Sequence, residues 1–242
     1  MARPRNQYVC QQCGHTAQSW MGKCSACGEW NSLVEQVAQA TRSAPAAASS
    51  RAIPLSRVSL GEGGEVRLRI GISELDRVLG GGLVTGALTL LGGDPGVGKS
   101  TLLLMAMQGF ARRGIRVLYV SGEESARQVR LRADRLGEVS DELYLLAETG
   151  LDAMVAAVDD VKPRVLVLDS IQTLQSPDLD GIPGSISQVR EVAARAMKIA
   201  KGQDIATFLV ATSRRTATSP ARARSSTSWT RCSTSRATAR AP

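Results

Sequence analysis

The sequence predicts an α/β protein, a mostly parallel sheet with helices on both faces, preceded by a small cysteine-bound module. Three observations predict it. From residue 54 onward short apolar runs alternate with helix-patterned runs, the stretch GDPGVGKST falls between one such pair, and two C-x-x-C pairs lie near the N-terminus. Repeated βα units bury both faces of a parallel sheet, and binding sites in such sheets lie at the carboxyl ends of the strands. At 242 residues and 43% hydrophobic, the chain can bury one sizeable core and carry an appendage.

The appendage comes first. Cys10-x-x-Cys13 and Cys24-x-x-Cys27 are separated by ten residues that include Trp20 and Gly22. Each pair supplies two thiolates from a tight turn, with Gly14 or Gly28 just after the second cysteine, and two such turns complete a tetrahedral S4 shell for zinc. Two disulfides or a thioredoxin-like redox pair compete with this reading, but a reducing cytosol and the lack of a surrounding βαβ pattern count against both. His15, the sole histidine, is expected at the surface and not on the metal. A closed S4 site has no open position for chemistry, so residues 1–35 read as a zinc ribbon that positions or recognises something and needs its metal to fold. Residues 36–52, rich in Ala and Ser with Pro45, read as a flexible linker that tethers the ribbon.

The core is expected over residues 53–210. GISELDRVLGGGL predicts a short helix stopped by three glycines. Strands are expected at 87–91, 117–120, 143–146, 165–168 and 206–210, and helices at 101–113, 125–136, 152–161 and 186–201. The loop between the first of these strands and its helix has the G-x-x-x-x-G-K-[ST] pattern. Gly93, Asp94, Pro95, Gly96, Val97, Gly98, Lys99, Ser100 and Thr101 are expected to cradle phosphates through backbone N–H groups at a helix N-terminus. Lys99 is expected at the β/γ-phosphates and Ser100 on Mg²⁺, which makes ATP with Mg²⁺ the expected ligand. VLVLD ends a buried strand in Asp169, the expected second holder of Mg²⁺. In VLYVSGEES, Glu123 or Glu124 can polarise an attacking water, and Glu123 is the favoured one; the same residues also read as acids in the first turn of an N-capped helix.

The charge distribution narrows the partners. The seven arginines of residues 211–242, with no acid among them, account for all but one of the net +8, so the folded part is nearly neutral. No apolar run approaches the ~20 residues a membrane span needs, and the first twelve residues are polar, so a cytoplasmic protein without a membrane partner is expected.

In this order, the four-cysteine ribbon, GISELDRVLGGGLVTGALTLLGGDPGVGKSTLLL, YVSGEES and VLVLDSIQT resemble the bacterial RadA (Sms) family of RecA-related DNA repair and recombination ATPases, over residues 8 to about 210. The resemblance implies a RecA-like P-loop NTPase core, Glu123 as the water-activating residue and Lys99 as its catalytic partner. It also implies a homo-oligomeric ring on single-stranded and branched DNA, DNA-stimulated hydrolysis that drives branch migration, and recombinase-type partner proteins. DNA-contacting loops would follow the strand ending at Asp169 and the next strand. The first corresponds to residues 176–185, SPDLDGIPGS, flexible by composition, whose two Asp and lack of Lys or Arg do not by themselves suggest DNA. Two other readings stand beside this one. A KaiC-like regulatory ATPase shares the G-I-x-x-L-D preamble but is not expected to carry the ribbon. A non-catalytic fragment would use the ribbon alone to bind DNA or protein.

After Val210 the composition breaks. Residues 211–242 hold 14 Ser/Thr, seven Arg and seven Ala, with no aliphatic residue larger than Ala, so they are expected to be disordered. An Arg-rich tail that binds nucleic acid is one reading. A single-base frameshift fits better, because back-translation in a neighbouring frame yields a peptide like HVTKDGDIAGPRALEHLVD, similar to the family's next segment. The displaced continuation would comprise the following strands, the second DNA loop, a K-N-R-F-G signature and a domain resembling the Lon protease fold. The RecA-like sheet is then expected to be incomplete, with an apolar edge, poor solubility, impaired ring assembly and much reduced turnover even where nucleotide binds, and Cys232 and Trp229 have no role. The coding DNA around Ala211 is expected to contain that alternative frame; a locus with no such frame would contradict the idea.

Overall fold

The computed structural model describes residues 6–37, 54–57, 67–179 and 181–212. The ribbon is a three-stranded antiparallel sheet of β1 (Asn6–Cys10), β2 (Thr16–Ala17) and β3 (Leu33–Val37), in the order β2-β1-β3. Its interior is small, with Cys10, Cys24 and Leu33 buried, so sulfur takes the place that larger hydrophobes fill elsewhere. β3 runs two residues into the predicted linker; the remainder of 36–52, apart from residues 36 and 37, lies outside the described residues.

The core opens with β4 (Arg67–Leu68), α1 (Ser73–Val78) and β5 (Leu83–Val84). Asp76 fastens this preamble, accepting from the Ile70 N–H at 2.7 Å and the Gly71 N–H at 3.0 Å. β6 (Leu88–Gly93), α2 (Lys99–Ala111), β7 (Val117–Ser121), α3 (Ala126–Arg135), β8 (Leu143–Leu146), α4 (Leu151–Val161), β9 (Val165–Asp169), α5 (Ile186–Gln203) and β10 (Ala206–Thr212) follow. The sheet is parallel throughout, in the order β6-β10-β9-β7-β8. β10, the last described strand, therefore separates the strand that leads into GDPGVGKST from the strand that ends in Asp169.

Alternation along the strands builds two layers. Val117, Tyr119, Val165, Val167 and Phe208 pack with Leu103, Met107 and Phe110 of α2 on one face. Leu118, Val120, Leu166, Leu168 and Leu209 pack with Met154 and Val158 of α4 and Val192 and Ala196 of α5 on the other. The central strands β7, β9 and β10 are buried on both sides, which is why they read as continuous apolar runs.

Several sequence expectations shift. α2 begins at Lys99, inside the phosphate loop, and not at 101. Glu123 and Glu124 precede α3: its N-cap is Ser125, whose hydroxyl accepts from the Gln128 N–H while the Gln128 side chain accepts from the Ser125 N–H, so the acids are not in a first helical turn. β10 continues past the composition break, with Ala211 and Thr212 opposite Gly92 and Gly93; residues 213–242, with the rest of the predicted disordered segment, lie outside the described residues. Among the described residues β6 pairs with β10 alone, and its Leu90 is exposed.

The segment after β9 is held where composition suggests flexibility. Gln188, 1% exposed on α5, donates to the Ser176 carbonyl at 3.1 Å and the Leu179 carbonyl at 2.8 Å and accepts from the Ser176 N–H at 2.7 Å. The ribbon also meets this region. A Cβ on Gly14 would lie 3.3 Å from the side chains of Ile186 and Arg190, and one on Gly181 would lie 2.7 Å from Gln11 Oε1. The predicted tether thus carries a ribbon seated against the start of α5.

Candidate nucleotide and metal sites

The carboxyl edge of the sheet gathers the predicted residues. Gly93 ends β6, Ser121 ends β7, Asp169 ends β9 and Thr212 ends β10, with Ser121 opposite Asp169 and Thr212 opposite Gly93. Residues 94–98 bridge β6 to α2 and are all exposed. Gly96 (φ 79°) and Gly98 (φ 88°) are left-handed, and no heavy atom lies within 4 Å of a Cβ placed on either. The loop therefore has open concave space beside the N–H groups of the first turn of α2, which have no intrahelical acceptor. Ser100 and Thr101, half-buried, fall in that turn. Lys99 folds back over the loop, its Nζ donating to the Gly93 and Asp94 carbonyl oxygens at 2.9 Å each.

The two acids separate cleanly. Glu124 is ion-paired with Arg132 on α3, and its N–H donates to Ser121 Oγ at 3.1 Å. Glu123 is exposed, and its Oε1 accepts from Ser170 Oγ at 2.7 Å. Ser170 is 2% exposed, follows Asp169 through a cis peptide bond, and through its carbonyl accepts from Thr173 Oγ1 at 2.8 Å. A side chain at Gly122 is excluded, because its Cβ would fall 2.1 Å from Thr173 Oγ1. Asp169 accepts a short hydrogen bond at Oδ2 from the Tyr119 hydroxyl. Burial, followed by the neighbouring Asp169 carboxylate, pushes the Tyr119 phenol far above its ordinary range, so it remains the donor.

Sequence reasoning missed Tyr119, Ser170, Thr173 and Arg132. One signal was available for Tyr119. It is the sole aromatic in a fully buried strand, and a buried phenol needs a partner for its hydroxyl.

In the ribbon, the four Sγ atoms lie within 4.8 Å of one another, with Cys10 to Cys27 and Cys13 to Cys24 each at 3.6 Å. A tetrahedral shell with Zn–S bonds of about 2.3 Å places its sulfurs about 3.8 Å apart, so the set fits zinc. The two turns repeat each other: the Gly14 N–H donates to the Cys10 carbonyl and the Gly28 N–H to the Cys24 carbonyl, both at 2.9 Å, with Gly14 (φ 72°) and Gly28 (φ 77°) left-handed. Burial raises the Cys10 thiol, but the Ser32 hydroxyl and the Cys13 and Gln12 amides outweigh it and bring it down to about 6. The His15 amide lowers Cys13, but burial and the other three cysteines outweigh it and push it up to about 12. The Cys27 and Ala26 amides lower Cys24, whereas Cys27 is raised, its Glu29 amide outweighed by burial and by Cys10 and Cys24. Each close pair thus joins one thiol shifted down with one shifted up. His15 lies outside this set, its Nε2 3.1 Å from Ser25 Oγ. Trp20 and Trp30 are exposed at 58% and 66%, and both flank Gly22.

A parallel sheet with a phosphate loop at its carboxyl edge, a strand-end aspartate one strand removed and a four-thiolate ribbon define a P-loop nucleotide-binding domain joined to a metal-binding module. Comparison with known families agrees: a model described as "AAA domain" matches residues 66–217, and one described as "Rubredoxin metal binding domain" matches residues 8–35. Curated relatives named DNA repair protein RadA are 45% identical over 212 residues in Streptococcus pyogenes serotype M1 and 43% identical over 217 residues in Bacillus subtilis (strain 168). Each alignment covers 87% of this chain and 47% of the relative, so the chain spans about half the length of the curated relatives it matches. The chain belongs to the AAA-domain family, and the curated relatives it resembles are DNA repair proteins named RadA. No helix among the described residues is long and apolar enough to cross a membrane.

Zinc is held by thiolates, so metal binding must displace the thiol protons of the cluster. Apparent zinc affinity is therefore expected to fall as pH falls, by about tenfold per pH unit for each proton displaced. A competition titration with a chromophoric chelator between pH 6 and 8 checks this, and pH-independent affinity would contradict it.

Proposed function

We propose that this chain binds and hydrolyses MgATP as part of a DNA repair and recombination protein, with hydrolysis stimulated by single-stranded and branched DNA and coupled to branch migration. The observation that carries the reading is the open left-handed loop at residues 94–98, with Lys99 at its mouth and Asp169 and Glu123 at the same sheet edge. Lys99 exchanges its two carbonyl partners for the β- and γ-phosphate oxygens, which give a stronger, charge-assisted hydrogen bond. The N–H groups of residues 94–101 meet the remaining phosphate oxygens at the positive end of α2. Ser100 Oγ and the Asp169 carboxylate would hold Mg²⁺. When bound, Mg²⁺ neutralises charge that develops between the β- and γ-phosphates. Glu123, exposed and free of any arginine partner in the described contacts, takes the proton of the attacking water at its carboxylate, held in place by Ser170. Glu124 is occupied by Arg132 and is the weaker candidate.

The four cysteines hold zinc as a structural centre. The ribbon's seat against α5 places it beside residues 176–185, the candidate DNA loop, so the two offer DNA or a recombinase-type partner one continuous surface. The matched ribbon supports this reading over a KaiC-like regulatory ATPase. A ring of several copies is the assembly that fits the family.

The test is ATP binding and phosphate release by this chain with and without branched DNA. ATP is expected to bind, and Lys99→Ala is expected to weaken binding by about 3 kcal/mol, or roughly 100-fold. DNA is expected to raise phosphate release. Release that survives Lys99→Ala contradicts the site, and tight ATP binding without turnover favours the non-catalytic fragment.

A further inference from the structure

Tyr119 is 2% exposed and sits in the core layer beneath α2, yet its hydroxyl reaches the carboxyl edge and is spent on Asp169. The register explains the reach. Tyr119 lies opposite Val167, so Asp169 is its diagonal neighbour two residues further along β9 on the same face. Diagonal positions are about 7–8 Å apart, a span that an aromatic side chain with a terminal hydroxyl can bridge. The backbone of Asp169 is fixed as well, since its carbonyl accepts from the Gly122 N–H at 2.9 Å and Ser121 pairs with it in the sheet. One carboxylate oxygen, Oδ2, is thereby engaged by Tyr119, and no hydrogen bond to Oδ1 is found among the described residues.

We propose that Tyr119 is a positioning residue for the metal-holding carboxylate: by taking Oδ2 it stops Asp169 from rotating and presents Oδ1 to the water shell of Mg²⁺. This rests on the nucleotide reading above. Magnesium demands near-ideal octahedral geometry, so a carboxylate free to rotate would hold it less well. Groups that hydrogen-bond a metal-holding carboxylate commonly change metal affinity by ten- to a hundredfold when removed. Tyr119→Phe keeps the ring in its core layer and removes only the hydroxyl.

The experiment measures binding of a fluorescent ATP analogue to the full chain, in EDTA and across a Mg²⁺ titration, for wild type, Tyr119→Phe, Asp169→Asn, the double variant and Lys99→Ala. Tyr119→Phe is expected to bind the analogue as wild type does in EDTA and to need about tenfold more Mg²⁺ for the metal-dependent gain. Asp169→Asn is expected to shift the Mg²⁺ requirement at least as far, with the double variant no worse than Asp169→Asn alone. A wild-type Mg²⁺ requirement in Tyr119→Phe, alongside a shifted one in Asp169→Asn, overturns the proposal. An equal loss of binding in EDTA and in Mg²⁺ also overturns it, because that marks a structural role only. Binding that is indifferent to Lys99→Ala overturns the nucleotide reading itself, and this proposal with it.

Discussion

Burial of the central strands on both faces is the constraint on which the rest of the structure depends. Val165 to Leu168 and Val117 to Val120 are each 2% exposed or less, enclosed by α2 and α3 on one side and α4 and α5 on the other. A charged group cannot sit along such strands without a large desolvation penalty. Charge enters at the strand ends, and a parallel sheet brings all the carboxyl ends to one edge. Gly93, Ser121, Asp169 and Thr212 are neighbours because each ends its strand at that edge.

At that edge, hydrogen bonds choose among groups that sequence leaves equivalent. Two adjacent glutamates differ because Arg132, nearly two turns into α3, pairs with Glu124, while Ser170 holds Glu123. The same short stretch from Ser170 to Thr173 packs into the space above Gly122 and leads into the segment that Gln188 pins to α5. Residues 169–179 thus run in a few steps from the Asp169 carboxylate to the segment against which the ribbon sits. The ribbon follows a different rule. It has almost no apolar interior, so its four sulfurs are both its core and its candidate site, and metal binding is expected to accompany folding.

Much of this was legible in the sequence because the signals were local. The phosphate loop is a run of adjacent residues whose glycines mark the required left-handed backbone, and the two C-x-x-C turns announce their own geometry. The buried strands were legible as aliphatic runs. What escaped depends on contacts between distant residues. Strand order, with β10 between β6 and β9, is set by packing of crossover helices and leaves no mark within any one strand. Ser170 with Glu123 and Tyr119 with Asp169 are 47 and 50 residues apart. The seating of the ribbon was hidden behind a linker composition that says only how freely a chain can move, and the loop at 176–185 looked flexible because the residue that holds it, Gln188, lies in the next helix.

The central claim is that the carboxyl edge of this sheet is a phosphate site built around residues 93–101. Amide hydrogen exchange of the full chain, with and without MgATP, addresses it most directly. The account predicts slower exchange in residues 94–101, where the N–H groups would meet phosphate, with a smaller effect at the ends of β7 and β9. Binding of MgATP that leaves residues 94–101 unchanged while protecting another part of the chain would contradict it.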